Sequence, residues 1–346
     1  MEQLIGILLH SIGGFSSASF YVPTYKIKKW AWETYWIVLG FVAWIVMPIV
    51  GCWLVTDNVF QIFSSTSNNS ILLTFFFGLL WGFGGLFSGL GLRFLGLSLG
   101  QSISLGVSSI VGTIVPAIIN DKLVMIFTTS SGNIILLGFL FSIGGIVLCG
   151  FAGKRKDVQL NKKSIKTTSE FAIYKGVLMA VLGGILSASM ALAIMYGDEI
   201  AESALNSGTA LIYKNIPIFV IAFAGGFVTN FIYSIVKGFR NKSFSDYVLK
   251  DNKLLRRNYI LAMFSGIMWY LQFFFYGMGA TKMGEYDFAS WSIHMSSIVI
   301  FSNVWGIWLK EWADVDRLTK RYLWIGILLL IVSLLLIGLG NHRAGL

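Results

Sequence analysis

Residues 132–153 read GNIILLGFLFSIGGIVLCGFAG and contain no charged side chain, and Lys154, Arg155 and Lys156 follow them directly. About 20 consecutive apolar residues cross the hydrocarbon core of a bilayer as a helix, and Lys and Arg collect at the cytoplasmic end of such a helix. The segment is therefore predicted to be a transmembrane helix that ends in the cytoplasm.

Segments of the same character are found on both sides of it. The ten predicted spans are residues 3–24, 35–56, 71–93, 97–118, 132–153, 174–196, 215–236, 258–280, 287–309 and 322–342. Of the 346 residues, 56% are hydrophobic and only 12% are charged, and the mean hydropathy is +0.75. Soluble proteins carry about 25% charged residues. The predicted fold class is an all-α polytopic membrane protein with ten transmembrane helices.

The net charge of +10 is unevenly distributed along the chain. Of the 26 Lys and Arg residues, 22 lie in the loops after the first, third, fifth, seventh and ninth spans or at the span ends that border these loops. By the positive-inside rule these loops are cytoplasmic, so both termini are expected on the outer, periplasmic side. Because the basic residues stand in short blocks between apolar runs, the expected surroundings are a lipid bilayer, and no nucleic-acid partner is expected.

Two consecutive spans recur later in the chain with a constant offset of 188 positions. Gly78, Trp81, Gly89, Gly91 and Gly96 correspond to Gly266, Trp269, Gly277, Gly279 and Gly284, and Ser102, Ser104, Ser108 and Ser109 correspond to Ser290, Ser292, Ser296 and Ser297. Each half has an odd number of spans, so the second half is expected to be inverted in the membrane. The predicted organisation is a first five-helix repeat (1–153), a basic cytoplasmic linker (154–173) and a second five-helix repeat (174–346).

Inverted repeats favour a transporter, because they build two alternative routes to one site near the middle of the membrane. The sequence has no Gly-rich phosphate loop, no Cys and His cluster with metal-ligand spacing and no Ser-His-Asp arrangement. No enzymatic activity, cofactor or metal is therefore expected. A membrane-embedded enzyme or a signalling receptor would need a catalytic cluster or an effector domain, and the sequence offers neither.

Ionisable residues inside a membrane span are costly and point to function. In the first span, His10 is predicted to share one helical stripe with Gly14, Ser17 and Tyr21. Histidine binds and releases a proton near neutral pH. A neutral histidine that hydrogen-bonds between helices is the alternative interpretation.

The ninth span has Asp287, Trp291 and His294 at spacings that predict a common helical face. This face would carry an outer carboxylate, a stacking ring and a titratable base. Because Asp287 lies at the predicted helix start, an exposed or helix-capping aspartate is the alternative.

The eighth span places Trp269, Gln272 and Tyr276 on one face. Aromatic rings can cover the apolar faces of a sugar while an amide binds its hydroxyls. A cation could use the same rings, but no carboxylate within the stripe would neutralise it, so a sugar is favoured. For Trp269, packing against other helices or against lipid is the alternative.

Several motifs resemble the L-rhamnose–proton symporter family of the drug/metabolite transporter superfamily. They are Lys28-Lys29-Trp30-Ala31-Trp32-Glu33-Thr34, Met268-Trp269-Tyr270-Leu271-Gln272-Phe273-Phe274-Phe275-Tyr276, Tyr286-Asp287, Trp291, His294-Met295-Ser296 and Leu309-Lys310-Glu311-Trp312. The similarity is collinear over nearly the whole chain. The third span departs from the family pattern, because Gly85, Phe87 and Ser88 stand where asparagines and a tyrosine are expected.

The resemblance implies symport of a proton and L-rhamnose, or a similar 6-deoxyhexose, by alternating access across a bacterial inner membrane. Combined with the helical stripes, it gives His10, Ser17, Tyr21, Gln272, Tyr276 and Trp291 as expected sugar-binding residues and His294, His10 and Asp287 as expected proton-coupling residues. The expected partners are the sugar, protons and lipid. An uncoupled sugar facilitator and an exporter of metabolites or drugs are alternatives with the same fold.

Overall fold

The computed structural model describes residues 2–95, 97–160 and 170–344, which form helices and connecting turns without any strand. The α-helices are α1 (Glu2–Ser19), α2 (Trp32–Phe41), α3 (Met47–Val55), α4 (Val59–Ser65), α5 (Asn68–Leu95), α6 (Leu97–Ile119), α7 (Leu123–Thr128), α8 (Ser130–Leu160), α9 (Glu170–Ser187), α10 (Ser189–Tyr196), α11 (Asp198–Asn206), α12 (Ile216–Asn241), α13 (Asn252–Ala280), α14 (Ser290–Trp308) and α15 (Arg317–Ala344). Short 3-10 helices cover Pro23–Lys26, Leu211–Tyr213, Ser243–Val248 and Gly284–Ala289, and a π-helix covers Val42–Val46. The all-α prediction is confirmed.

Nine helical segments of the described chain are long and apolar enough to cross a membrane. They are Glu2–Lys26, Trp32–Val55, Asn68–Leu95, Leu99–Ile119, Ser130–Leu160, Ile173–Asn206, Leu211–Asn241, Asn252–Ala280 and Arg317–Ala344. A polytopic membrane protein is thus confirmed. The span predicted over 287–309 is the exception: it forms α14, but its serines, His294 and Asn303 make this helix more polar than the other nine.

The chain divides into two compact units. The first unit comprises the described residues within Met1–Phe15, Gly84–Ala191 and Gly279–Leu346, and the second comprises Ser16–Phe83 and Leu192–Met278. Each unit contains segments of both predicted repeats, so the repeat boundaries stay a prediction. Of the predicted linker 154–173, the first part belongs to α8 and the last part to α9, and residues 161–169 lie outside the described residues.

Glycines set the packing within both units. In the first unit, Gly326 of α15 lies against Cys149 of α8, where an added Cβ would approach the Cys149 sulfur to 2.7 Å. In the second unit, a Cβ on Gly78 of α5 would come within 2.9 Å of the Cα of Ala222 in α12. Small residues let helix backbones approach closely, which is the usual basis of helix association in membranes.

Candidate functional site

Two buried histidines of the first unit lie side by side. His10 of α1 and His294 of α14 are both fully buried, and their ring centroids are 6.3 Å apart at an interplanar angle of 63°. Gly279 packs against the His10 imidazole, because a Cβ at this position would approach Cε1 and Nε2 of His10 to 3.0 Å. The structure therefore brings together the two histidines that the sequence placed in separate spans.

The polar first half of α14 is enclosed by protein. All eight residues from Ser290 to Ser297 are buried, so this part of the helix exposes no face. Polar groups inside a membrane protein are tolerated where other protein groups or water surround them rather than lipid. The burial explains how the least apolar of the predicted spans is accommodated.

Trp291 is held by a defined partner in the same unit. Its indole Nε1–H donates to the carbonyl oxygen of Ser108 in α6 at 3.0 Å. The ring occupies the space in front of Gly112, whose added Cβ would lie 2.6 Å from Cδ1 of the indole. Trp291 therefore fixes α14 against α6, one helical turn from His294.

Sequence reasoning missed a group of buried serine hydroxyls next to this tryptophan. Ser142 of α8 and Ser296 of α14 are hydrogen-bonded at 2.7 Å, and Ser292 lies 3.4 Å from both Ser142 and Ser109. Ser109 and Ser292 also line a cavity of about 30 Å³, which holds roughly one water molecule and no hexose. The repeated serine pattern in the two spans was the signal that could have identified this group.

Asp287 does not lie on the helical face of Trp291 and His294, so the predicted stripe is wrong at this residue. Gly284 has a left-handed backbone (φ 57°) and Tyr286 is non-helical, and α14 begins only at Ser290. The Asp287 side chain is 53% exposed and pairs with Lys122 at 2.8 Å. Asp287 is therefore a surface ion-pair partner before the helix.

Tyr21 likewise leaves its predicted stripe. α1 ends at Ser19, and Pro23, which lacks a backbone N–H for the helical ladder, begins the following 3-10 helix. The Tyr21 ring is 40% exposed and stacks on Trp36 of the second unit, with centroids 6.3 Å apart. Ser17, also in the second unit, is half-buried within α1.

The remaining predicted residues belong to the second unit. Gln272 and Tyr276, one turn apart on α13, are 4% and 5% exposed. Trp269 precedes them on the same helix and packs 5.4 Å from Phe273, which in turn lies 6.0 Å from Tyr276. The Tyr276 ring thus packs beside another aromatic ring, and the Gln272 amide is buried on the same helix.

The chain is similar to known proteins over nearly its whole length. A model of the family described as "L-rhamnose-proton symport protein" matches residues 2–343. A protein of Shigella dysenteriae serotype 1 (strain Sd197) is 36% identical over 340 residues, which cover 97% of each chain, and is named L-rhamnose-proton symporter. A protein of Escherichia coli (strain 55989 / EAEC) with the same name has the same identity and coverage. With matches that extend over nearly its whole length, the chain belongs to the L-rhamnose-proton symport protein family, which is a family of transporters and not of enzymes.

Proposed function

We propose that this protein is a secondary active transporter that takes up L-rhamnose, or a closely related 6-deoxyhexose, together with a proton across the inner membrane of a bacterium. The names of the relatives support the substrate and the coupling ion. The observation on this chain that carries the proposal is the buried pair His10 and His294. It places two imidazoles, the side chains that proteins most often use to take up and release protons, inside a membrane protein.

The proposed architecture adds α14 to the nine apolar segments, which gives ten helices in two inverted five-helix repeats. The constant offset of 188 positions supports the repeat. Both termini are proposed to lie on the periplasmic side, because 22 of the 26 basic residues fall on the opposite side. No nucleic-acid partner is proposed.

The histidine pair is proposed to carry one proton. Two unit charges about 6 Å apart repel each other by about 3 kcal/mol at an effective dielectric constant of about 20. A proton on the pair therefore opposes a second one, and both imidazoles are proposed to be needed to hold the single proton. We assign Asp287 a peripheral part in coupling, as an exposed carboxylate paired with Lys122 on the proposed outer side.

The sugar is proposed to contact polar and aromatic side chains of α13. Gln272 and Tyr276 supply hydrogen-bonding groups for its hydroxyls, and the aromatic residues beside them cover its apolar faces. His10, Ser17, Tyr21 and Trp291 are the further proposed sugar-binding residues. His10 would then serve both the sugar and the proton.

Coupling of sugar uptake to the proton follows from the charge that the proton adds inside the protein. A proton on the histidine pair adds a charge that the membrane potential drives inward, and release of the proton to the cytoplasm completes the cycle. A potential of 100 mV supplies about 2.3 kcal/mol for each proton, which corresponds to roughly 50-fold sugar accumulation.

Uptake of radiolabelled L-rhamnose into proteoliposomes tests this function. An inward proton gradient is expected to drive accumulation, and addition of the sugar is expected to raise the external pH. Downhill counterflow without proton movement would show a facilitator. Protection of the protein's tryptophan fluorescence by lipophilic cations, but not by sugars, would show an exporter.

A further inference from the structure

The helical segment from Trp32 to Val55 contains a register change at one tryptophan. Between α2 and α3, residues Val42–Val46 form a π-helix with Trp44 at its centre. A π-turn inserts one extra residue into the helical ladder and is frequent at functional sites. It shifts Trp44 away from the face that regular α-helical spacing would give it.

Trp44 is surrounded by three other tryptophans of the second unit. Its ring centroid lies 5.7 Å from Trp36, 6.0 Å from Trp81 and 5.4 Å from Trp269, at interplanar angles of 72° to 89°. We call these four residues the tryptophan cage. Trp81 and Trp269 are equivalent positions of the two repeats and lie 5.6 Å apart.

Glycines make room for two of the cage rings. A Cβ at Gly40 would lie 2.5 Å from Cζ3 of Trp44, and one at Gly226 would lie 2.5 Å from Cε3 of Trp81. Glycine lowers the stability of a helix relative to alanine. The two glycines therefore leave the space that these rings need at defined positions in the cage.

The indole N–H of Trp44 is buried and has no hydrogen-bond partner among the described residues, and its side chain is only 3% exposed. In contrast, Nε1 of Trp36 donates to Oδ1 of Asn230 at 3.2 Å. A buried donor without a partner is costly, because it has lost its hydrogen bond to water and gained none in return. A bound water would need two to four polar partners, whereas the cage neighbours of this N–H are aromatic rings.

We propose that Trp44 is a specificity-determining residue that contacts the sugar, with its indole N–H donating to a sugar hydroxyl inside the tryptophan cage. The inference rests on the proposed function and deepens it. Trp44 meets its three cage neighbours edge to face, so that the positive edge of one ring lies against the negative face of another. The C–H groups of a deoxyhexose have the same polarity and can replace those edges. Gln272, three residues after Trp269 on α13, adds an amide on the same side of that helix.

The test is equilibrium binding of radiolabelled L-rhamnose to the purified full-length protein. Trp44→Phe keeps an aromatic ring but removes the N–H, and is expected to weaken binding about 10-fold. Trp32→Phe is the matched control, because Trp32 lies on α2, stacks on Trp36 at 4.9 Å, meets Tyr233 at 6.4 Å and is 36% exposed. Its affinity is expected to equal that of the wild type.

Singly deoxygenated analogues of L-rhamnose identify the hydroxyl. The analogue that lacks the hydroxyl to which Trp44 donates should bind the wild type about 10-fold more weakly than L-rhamnose does. The Trp44→Phe variant should bind this analogue and L-rhamnose with equal affinity. If Trp44→Phe does not fold, Trp44→Tyr, which also lacks the indole N–H, takes its place with the same expected loss. Unchanged affinity of the folded variant at Trp44 overturns the role of Trp44 but leaves the proposed function standing. Absence of L-rhamnose binding by the wild type overturns the proposed function.

Discussion

A single imidazole can be replaced without changing the apolar surroundings that enclose it, which makes the histidine pair testable residue by residue. His294→Gln keeps a polar side chain but cannot take up a proton. At an imposed potential of 100 mV, accumulation of L-rhamnose is expected to fall from roughly 50-fold to equality across the membrane. Uptake into proteoliposomes measures this ratio, and His10→Gln is expected to behave in the same way.

The third histidine provides the control for this experiment. His342 is exposed near the end of α15, so His342→Gln should accumulate sugar as the wild type does. If His294→Gln still accumulates sugar fully under the membrane potential, His294 takes no part in coupling.

Gln272 is the proposed sugar-binding residue whose amide is proposed to bind a sugar hydroxyl. Gln272→Leu retains the volume of a 4% exposed side chain but removes its amide. The sugar hydroxyl then loses its partner, and binding should weaken by about 1–3 kcal/mol, or roughly 5- to 150-fold. Equilibrium binding of L-rhamnose checks this value. Gln61→Leu, at an exposed position of α4, serves as the control. If Gln272→Leu binds L-rhamnose with the affinity of the wild type, the Gln272 amide has only a structural role.

At the scale of helices, α1 and α14 depend on a glycine contact beside the histidine pair. An added Cβ on Gly14 would lie 2.8 Å from the carbonyl carbon of Ser297, and the α14 backbone cannot move aside as a flexible side chain could. Gly14→Ala should therefore separate the two helices and lower the melting temperature. Gly85 of α5 has no atom within 4 Å of an added Cβ. Gly85→Ala should thus match or exceed the wild type, because alanine is the better helix former by about 1 kcal/mol.

Thermal unfolding in detergent compares the two alanine variants under identical conditions. Equal melting temperatures for Gly14→Ala and the wild type would show that the helices can separate slightly without loss of stability.

Asp316 caps the first turn of α15. Its carboxylate accepts the backbone N–H of Thr319 at 2.6 Å and an N–H of Arg155 at 3.1 Å. The hydrogen bonds from Thr319, and then the Arg155 charge, lower the pKa of Asp316 from 3.8 to about 2. Because the folded-state pKa is depressed, the stabilisation is present above pH 3.8 and is lost as the pH falls through about 2.

Asp316→Ala should consequently lower the melting temperature by the same amount at pH 5 and pH 7. The difference from the wild type should narrow only below about pH 4. Asp314→Ala, an exposed aspartate of the same loop, is expected to have no effect at either pH. A difference that already shrinks between pH 7 and pH 5 would contradict the lowered pKa.

Helical periodicity could predict the site only where the α-helix is regular. His10, Gln272 and His294 lie in regular segments, and their burial was predictable from their place in apolar spans. Tyr21 and Asp287 were wrongly placed on stripes, because Pro23 and the left-handed Gly284 end regular α-helical geometry beside them. The position of Trp44 was not predicted, because the π-turn inserts one extra residue and so turns its side chain away from the face that regular α-helical spacing gives.

For the molecule as a whole, composition is sufficient to predict a polytopic helical protein, because 12% charged residues cannot solvate globular surfaces of this size. Hydropathy is less informative for α14, whose polar groups are matched by buried protein groups rather than by lipid. The division into two units was not predictable from the repeat, because each unit combines segments that are far apart in sequence.

Orientation in the membrane is the property that the charge distribution predicts for the entire chain. Cys52 and Cys149 are both buried, so a membrane-impermeant maleimide should label the native protein weakly. Lys253→Cys introduces an exposed thiol in a predicted cytoplasmic loop, and Glu202→Cys introduces one on the predicted outer side. In intact cells, Glu202→Cys should react and Lys253→Cys should react only after permeabilisation. The reverse pattern would place both termini in the cytoplasm, and the excess of Lys and Arg would then lie outside, against the electrostatic preference that retains basic loops in the cytoplasm.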